Sequence, residues 1–180
     1  MLFDIATLEL HPIEFDTSFV PGELNFSGSG WIQQGRLDAT GVVELLEPAG
    51  SRTIRVCGTI ATKMQSTCAR CLELVEIDLE EEIRLLYFSM STDADVQKHE
   101  VAGDQVDMGF YEEPGPELVD VLQEQVMLLL PMRSVCKDEC KGICEQCGIN
   151  RNEEKCDCVS ILSDSRWDML RKFKLKIKHQ

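Results

Sequence analysis

The sequence predicts an α+β fold in which an antiparallel β-meander carries one packed helix and ends in a cysteine-rich module with a short basic C-terminal helix. Three observations predict it. Apolar side chains alternate with polar ones from Leu37 to Tyr87, an apolar stripe at helical spacing lies between Leu118 and Leu129, and six cysteines crowd the stretch from Cys136 to Cys158.

The strands follow in order. Leu37, Ala39, Gly41, Val43 and Leu45 share one face of a half-buried strand, with Arg36, Asp38, Thr40 and Glu44 on the other. Glu47-Pro48-Ala49-Gly50 supplies a turn, after which Ile54, Val56, Gly58, Ile60 and Met64 alternate with Arg55, Thr59, Lys63 and Gln65. A third run sets Val75, Ile77, Leu79, Ile83, Leu85 and Tyr87 against Glu76, Asp78, Glu80, Glu82 and Arg84. Its acidic side suits solvent, discourages edge-to-edge association and offers a surface to a basic partner. Residues Ser89 to Glu113 are polar and aperiodic, and read as a long mobile connection. Gly115-Pro116 then opens a helix whose stripe of Leu118, Val121, Leu122, Val126 and Leu129 ends before Pro131 and should cover one sheet face.

Charge divides the chain at about the same place as composition. Residues 1–132 carry 24 acidic and 7 basic side chains, whereas residues 133–180 carry 8 acidic and 11 basic, for a formal net charge of -14 overall. We therefore expect an acidic α+β domain over 1–132 and a cysteine-rich module with a basic tail over 133–180. An acidic body repels nucleic-acid phosphate, so contact with RNA would have to come from a local basic surface. Met1 is followed almost at once by Asp4, and the apolar run from Val126 to Met132 is too short to span a bilayer. A cytoplasmic location without a membrane partner is expected, and the Asn25-Phe26-Ser27 sequon is read as chance.

Eight of the nine cysteines form close pairs: Cys68 with Cys71, Cys136 with Cys140, Cys144 with Cys147, and Cys156 with Cys158. In a reducing compartment such pairs suit metal rather than disulfides, because a turn aims two thiolates at one Zn²⁺ and a second pair completes the tetrahedron. Cys144-Glu145-Gln146-Cys147-Gly148 reads as a zinc knuckle, with Gly148 freeing the backbone to turn. Cys156 and Cys158, two apart in an extended segment, share a face and complete site one with Cys144 and Cys147. Site two then takes Cys68, Cys71, Cys136 and Cys140. An equally legal partition joins Cys136, Cys140, Cys144 and Cys147. Cys57 stands alone in a strand and reads as a small apolar residue.

Cys68-Ala69-Arg70-Cys71 also invites a redox reading, since Arg70 would lower a thiol pKa. The residues after Cys71 alternate as a strand, however, whereas a redox pair of that kind opens a helix. The zincin motif, the phosphate-binding glycine loop and the dinucleotide fingerprint are absent, and His11, His99 and His179 are scattered. Four thiolates leave no protein position for an activated water, so the zinc is expected to be structural and the chain not to be an enzyme.

Cys-Ala-Arg-Cys-Leu at 68–72, Leu-Leu-Leu-Pro-Met at 128–132 and the run from Cys140 to Asn152 resemble the YceD family, also known as domain of unknown function 177. Ser163-Asp164-Ser165-Arg166-Trp167 is similar to its terminal Asp-Pro-Arg-Trp element. Departures are Glu145 and Ser165 where proline is usual and Arg151 where leucine is usual; every cysteine pair is intact. The resemblance implies a role in accumulation of large-subunit (23S) ribosomal RNA, hence in ribosome biogenesis, with ribosomal RNA or a precursor large subunit as partner and no catalytic activity. Arg166, Trp167, Arg171, Lys172, Lys174, Lys176 and Lys178 would supply the RNA contact. Against this, Trp167, Leu170 and Phe173 at helical spacing would dock the tail on the domain. A basic ribosomal protein fits the acidic face. A zinc-ribbon module making protein contacts in transcription and a thiol redox protein using Cys68 and Cys71 remain the alternative functions.

Overall fold

The computed structural model describes residues 1–46, 52–90 and 107–158. The chain falls into two compact units, one holding Met1–Ala69 with Glu73–Cys136 and the other Arg70–Leu72 with the residues from Lys137 onward. The regular elements among the described residues belong to the first unit: α1 (Ile5–Leu8), β1 (Ile13–Phe19), β2 (Ile32–Gln33), β3 (Leu37–Leu46), β4 (Thr53–Thr67), β5 (Leu74–Ser89), β6 (Asp107–Tyr111) and α2 (Leu118–Leu129). The fold is thus mostly β-sheet with few helices.

The strands form one sheet in the order β1-β3-β4-β5-β6, and β2 pairs with β4. Alternation sets the register. Ile13, Val43, Val56 and Leu85 stand opposite one another across four strands, and Val43 and Val56 are fully buried. The opposite face carries Asp16, Thr40, Thr59 and Glu82 in one row. Glu76, Asp78, Glu80 and Glu82 are all exposed there, and Lys63 reaches Asp78 at 3.4 Å. Gly41 is required by close approach: a Cβ would lie 2.3 Å from the Cys57 carbonyl oxygen and 2.6 Å from Cζ of Phe15, whose ring occupies the space.

The structure corrects the expected meander in two places. β1, preceded by α1, adds a strand beyond those expected from Leu37 onward. The stretch expected as a connection from Ser89 to Glu113 begins inside β5 and ends with β6, which runs parallel to β5 and makes the sheet mixed. Tyr111 of β6 is buried, and its hydroxyl donates to the Arg52 carbonyl at 3.2 Å. Residues 91–106 and the turn at Glu47–Gly50 lie outside the described residues.

On α2, Leu118, Val121, Leu122, Gln125 and Val126 are buried, and the four apolar ones join the sheet's core cluster. The helix has no side-chain N-cap. The first residues of the chain take that place: the Leu118 N–H donates to the Met1 carbonyl at 2.8 Å, and Phe3 donates to the Pro116 carbonyl at 3.0 Å. Gly115, with φ +149, permits this, because a Cβ would stand 2.0 Å from the Phe3 carbonyl oxygen. No helix among the described residues is long and apolar enough to cross a membrane.

Candidate metal centre

Two turns in the chain have the same build. In the first, the Cys68 N–H donates to the carbonyl of Glu73, five residues on, at 2.7 Å; in the second, the Cys144 N–H donates to that of Ile149 at 2.8 Å. The residue after the second cysteine is left-handed in both, Leu72 at φ +64 and Gly148 at φ +73. Gly148 also donates to the Cys144 carbonyl at 2.8 Å. Such a turn points successive amides at the first cysteine's sulfur, which favours a thiolate there.

The sulfurs of Cys144, Cys147, Cys156 and Cys158 all lie within 4.8 Å of one another. The same holds for Cys68, Cys71, Cys136 and Cys140. The competing grouping of Cys136, Cys140, Cys144 and Cys147 is not a cluster among the described residues. Zinc at about 2.3 Å from each of four sulfurs puts them about 3.8 Å apart, a separation that falls within the 4.8 Å bound of both sets. Two four-cysteine groups are therefore compatible with structural zinc. A bound ion there would supply cross-linking between ligands, and these eight thiolates would hold the pair of ions.

Hydrogen bonds to sulfur match that use. The Cys136 N–H donates to Cys68 Sγ at 3.4 Å, and Asn152 Nδ2 donates to Cys140 Sγ at 3.3 Å. The backbone N–H groups of Cys147 and Gln146 lower the Cys144 thiol to about 6. Its neighbours are pushed the other way. A hydrogen bond to Cys147, with burial, raises Cys158 to about 12, and one to Cys144 raises Cys156. Four thiols so close cannot all ionise unless positive charge is added among them.

Cys68 and Cys71 are buried, 0% and 4% exposed, and β5 rather than a helix follows them. That is poor access for disulfide exchange with another protein. Arg70, which the sequence suggests as a modifier of thiol pKa, extends Nη1 to the carbonyls of Asp138 at 2.8 Å and Cys140 at 3.2 Å. The guanidinium thus serves as a backbone clamp, since Nη1 carries two N–H donors and can meet the carbonyls of Asp138 and Cys140 together. Cys57 is half-buried in β4 opposite Val42 and Arg84, outside both groups. Neither group includes a histidine; His99 and His179 lie outside the described residues. So do Arg166, Trp167, Arg171, Lys172, Lys174, Lys176 and Lys178, the expected RNA-facing residues, and the basic helix expected from Ser163. Asn152, a direct partner of a cluster sulfur, escapes the sequence reading, because cysteine spacing carries no signal for a donor contributed by a returning loop.

A mixed sheet followed by a module of thiol-rich turns defines the class: a small β-rich protein with cysteine clusters suited to metal. The chain belongs to the family described as large ribosomal RNA subunit accumulation protein YceD, whose model matches residues 56–174. Among curated proteins it is similar to uncharacterized proteins of Mycobacterium bovis and of two strains of Mycobacterium tuberculosis, each 31% identical over 149 residues, which is 80% of this chain and 63% of the relative. The chain thus spans less than two thirds of the length of those relatives. No solved structure matches.

Proposed function

We propose that the protein is a non-enzymatic, cytoplasmic zinc-binding factor for accumulation of large-subunit ribosomal RNA, acting during ribosome assembly. Membership of the family carries this reading. The two four-cysteine groups supply its physical basis, because a small unit whose described residues form no helix or strand needs cross-links to hold one shape. Residues 1–132 act as an acidic domain, and residues 133–180 as the zinc-bearing module with its basic tail.

In this reading the acidic sheet face holds a basic protein and the tail meets RNA. Glu76, Asp78, Glu80 and Glu82 on β5 share that face with Glu14 and Asp16 on β1, against Lys63, Arg55 and Arg84, so its charge favours a cationic partner. The tail from Arg166 to Lys178 has the opposite sign. Crosslinking in cells, followed by sequencing of bound RNA and sedimentation of the complexes, tests the assignment. Recovery on large-subunit precursors is expected, and recovery with RNA polymerase instead would replace it with a transcription role. Neutralising Lys172, Lys174, Lys176 and Lys178 together is expected to weaken RNA binding and flatten its salt dependence, since RNA releases about one counterion for each phosphate that the tail neutralises. Unchanged affinity and salt slope, with Trp167→Ala lowering stability, would mean that the tail only docks.

A further inference from the structure

We infer that Asn152 is a positioning residue that couples the two cysteine clusters, a role that rests on the metal reading above. Asn152 lies between Cys147 and Cys156 of one cluster, yet its side chain donates to Cys140 Sγ of the other at 3.3 Å. The amide's orientation follows from its other end. Asn152 Oδ1 accepts from the Lys141 N–H at 2.9 Å, and because a backbone N–H only donates, the oxygen must face it and the nitrogen must face the sulfur. One amide thus grips Cys140 and the residue after it.

The grip is held from behind. Asn150 Oδ1 accepts both the Asn152 N–H at 3.0 Å and Asn152 Nδ2 at 2.9 Å. Ile143 and Asn150 form an antiparallel bridge, and the Arg151 N–H donates to the Gly142 carbonyl at 2.9 Å. The Cys144 N–H closes the same loop on the Ile149 carbonyl. The segment that presents Asn152 is therefore shaped by the turn carrying Cys144 and Cys147 and leads directly to Cys156 and Cys158. A metal on those four sulfurs would fix Asn152 in place, and the fixed N–H would stabilise negative charge on Cys140, since a thiolate accepts such a bond far better than a thiol. Filling one cluster then raises the affinity of the other, and by linkage the effect is mutual.

The test is a double-mutant cycle on the full chain, stripped of metal under reducing conditions and titrated with ¹¹³Cd²⁺ against a competing chelator. Replacing Cys156 and Cys158 by serine removes one cadmium resonance and identifies the other as the cluster containing Cys140. Each of Asn152→Ala and the double serine variant alone is expected to weaken that cluster by about 10–100-fold, and Asn152→Ala to shift its resonance. Combined, they should weaken it no more than either does alone. Asn152→Asp, nearly isosteric but with a carboxylate facing the sulfur, should be at least as damaging as Asn152→Ala. The inference is overturned if Asn152→Ala leaves that cluster's affinity within twofold, or if the separate losses multiply. By the same linkage the cluster of Cys144, Cys147, Cys156 and Cys158 should also lose affinity in Asn152→Ala, and an unchanged affinity there would overturn the coupling. A parent chain that takes up no cadmium would remove the metal reading itself.

Discussion

Gly148 and Gly142 allow the cost of the module's shape to be measured against metal affinity. Their φ values are nearly equal, +73 and +71, but their surroundings differ. A Cβ on Gly148 would meet nothing within 4 Å, whereas one on Gly142 would stand 2.9 Å from the Arg70 carbonyl oxygen. For Gly148→Ala the cost is conformational. A left-handed non-glycine residue costs about 1–2 kcal/mol, offset by about 0.4–1 kcal/mol from a less flexible unfolded chain. The net is about 1 kcal/mol, and because structural zinc binding is largely folding energy, this appears as about a fivefold loss of zinc affinity. Gly142→Ala adds the clash. The Arg70 carbonyl also accepts the Ile143 N–H at 3.0 Å, so moving it weakens that bond. A further ~1 kcal/mol brings the loss to about thirtyfold. Competition with a chromophoric chelator reads both values. Losses below twofold in both variants, or a larger loss in Gly148→Ala, would refute this reasoning.

Two further outcomes are expected. Gly41→Ala should lower the urea midpoint of the sheet by the equivalent of about 1–3 kcal/mol or more, because its Cβ would meet the Cys57 carbonyl at 2.3 Å and backbone cannot yield as a side chain can; a change below about 0.5 kcal/mol would show that the strands part easily there. Metal uptake by Cys144, Cys147, Cys156 and Cys158 should release protons at pH 7, since Cys156 is raised and Cys158 sits at about 12, while Cys144 at about 6 is already mostly ionised. Ligation needs thiolates, so affinity should fall as pH falls and fall more steeply below about 6, where Cys144 also takes up a proton. An indicator dye in weak buffer checks this, and uptake without proton release would contradict it.

The faces of β3, β4 and β5 are legible in the sequence because a two-residue period leaves little choice once one side is apolar, and Leu37, Val43, Val56, Met64 and Leu85 are all buried. The stripe of α2 is legible for the same reason at helical period. β1 is not, although Ile13, Phe15 and Phe19 alternate, because Thr17 interrupts the inward face. β6 is harder still: Met108 and Phe110 are 60% and 56% exposed, so these two apolar residues face out while Tyr111 faces in, against the pattern that marks the other strands. Sequence pairs the cysteines but leaves two ways to group the pairs. What decides between them is long-range, such as the Ala69 N–H donating to the Ser134 carbonyl at 2.8 Å, which brings the stretch before Cys136 to the turn of Cys68. The contact of Asn152 with Cys140 likewise depends on the return of residues 150–152 beside 140–143, which no local spacing encodes.

The most direct test of the central claim is metal content with thiol accessibility on freshly purified protein. About two zinc ions per chain are expected, four thiolates to each, with Cys57 as the thiol that titrates before chelator is added and the other eight only afterwards. A chain that carries no metal and whose nine cysteines all titrate at once would contradict the account.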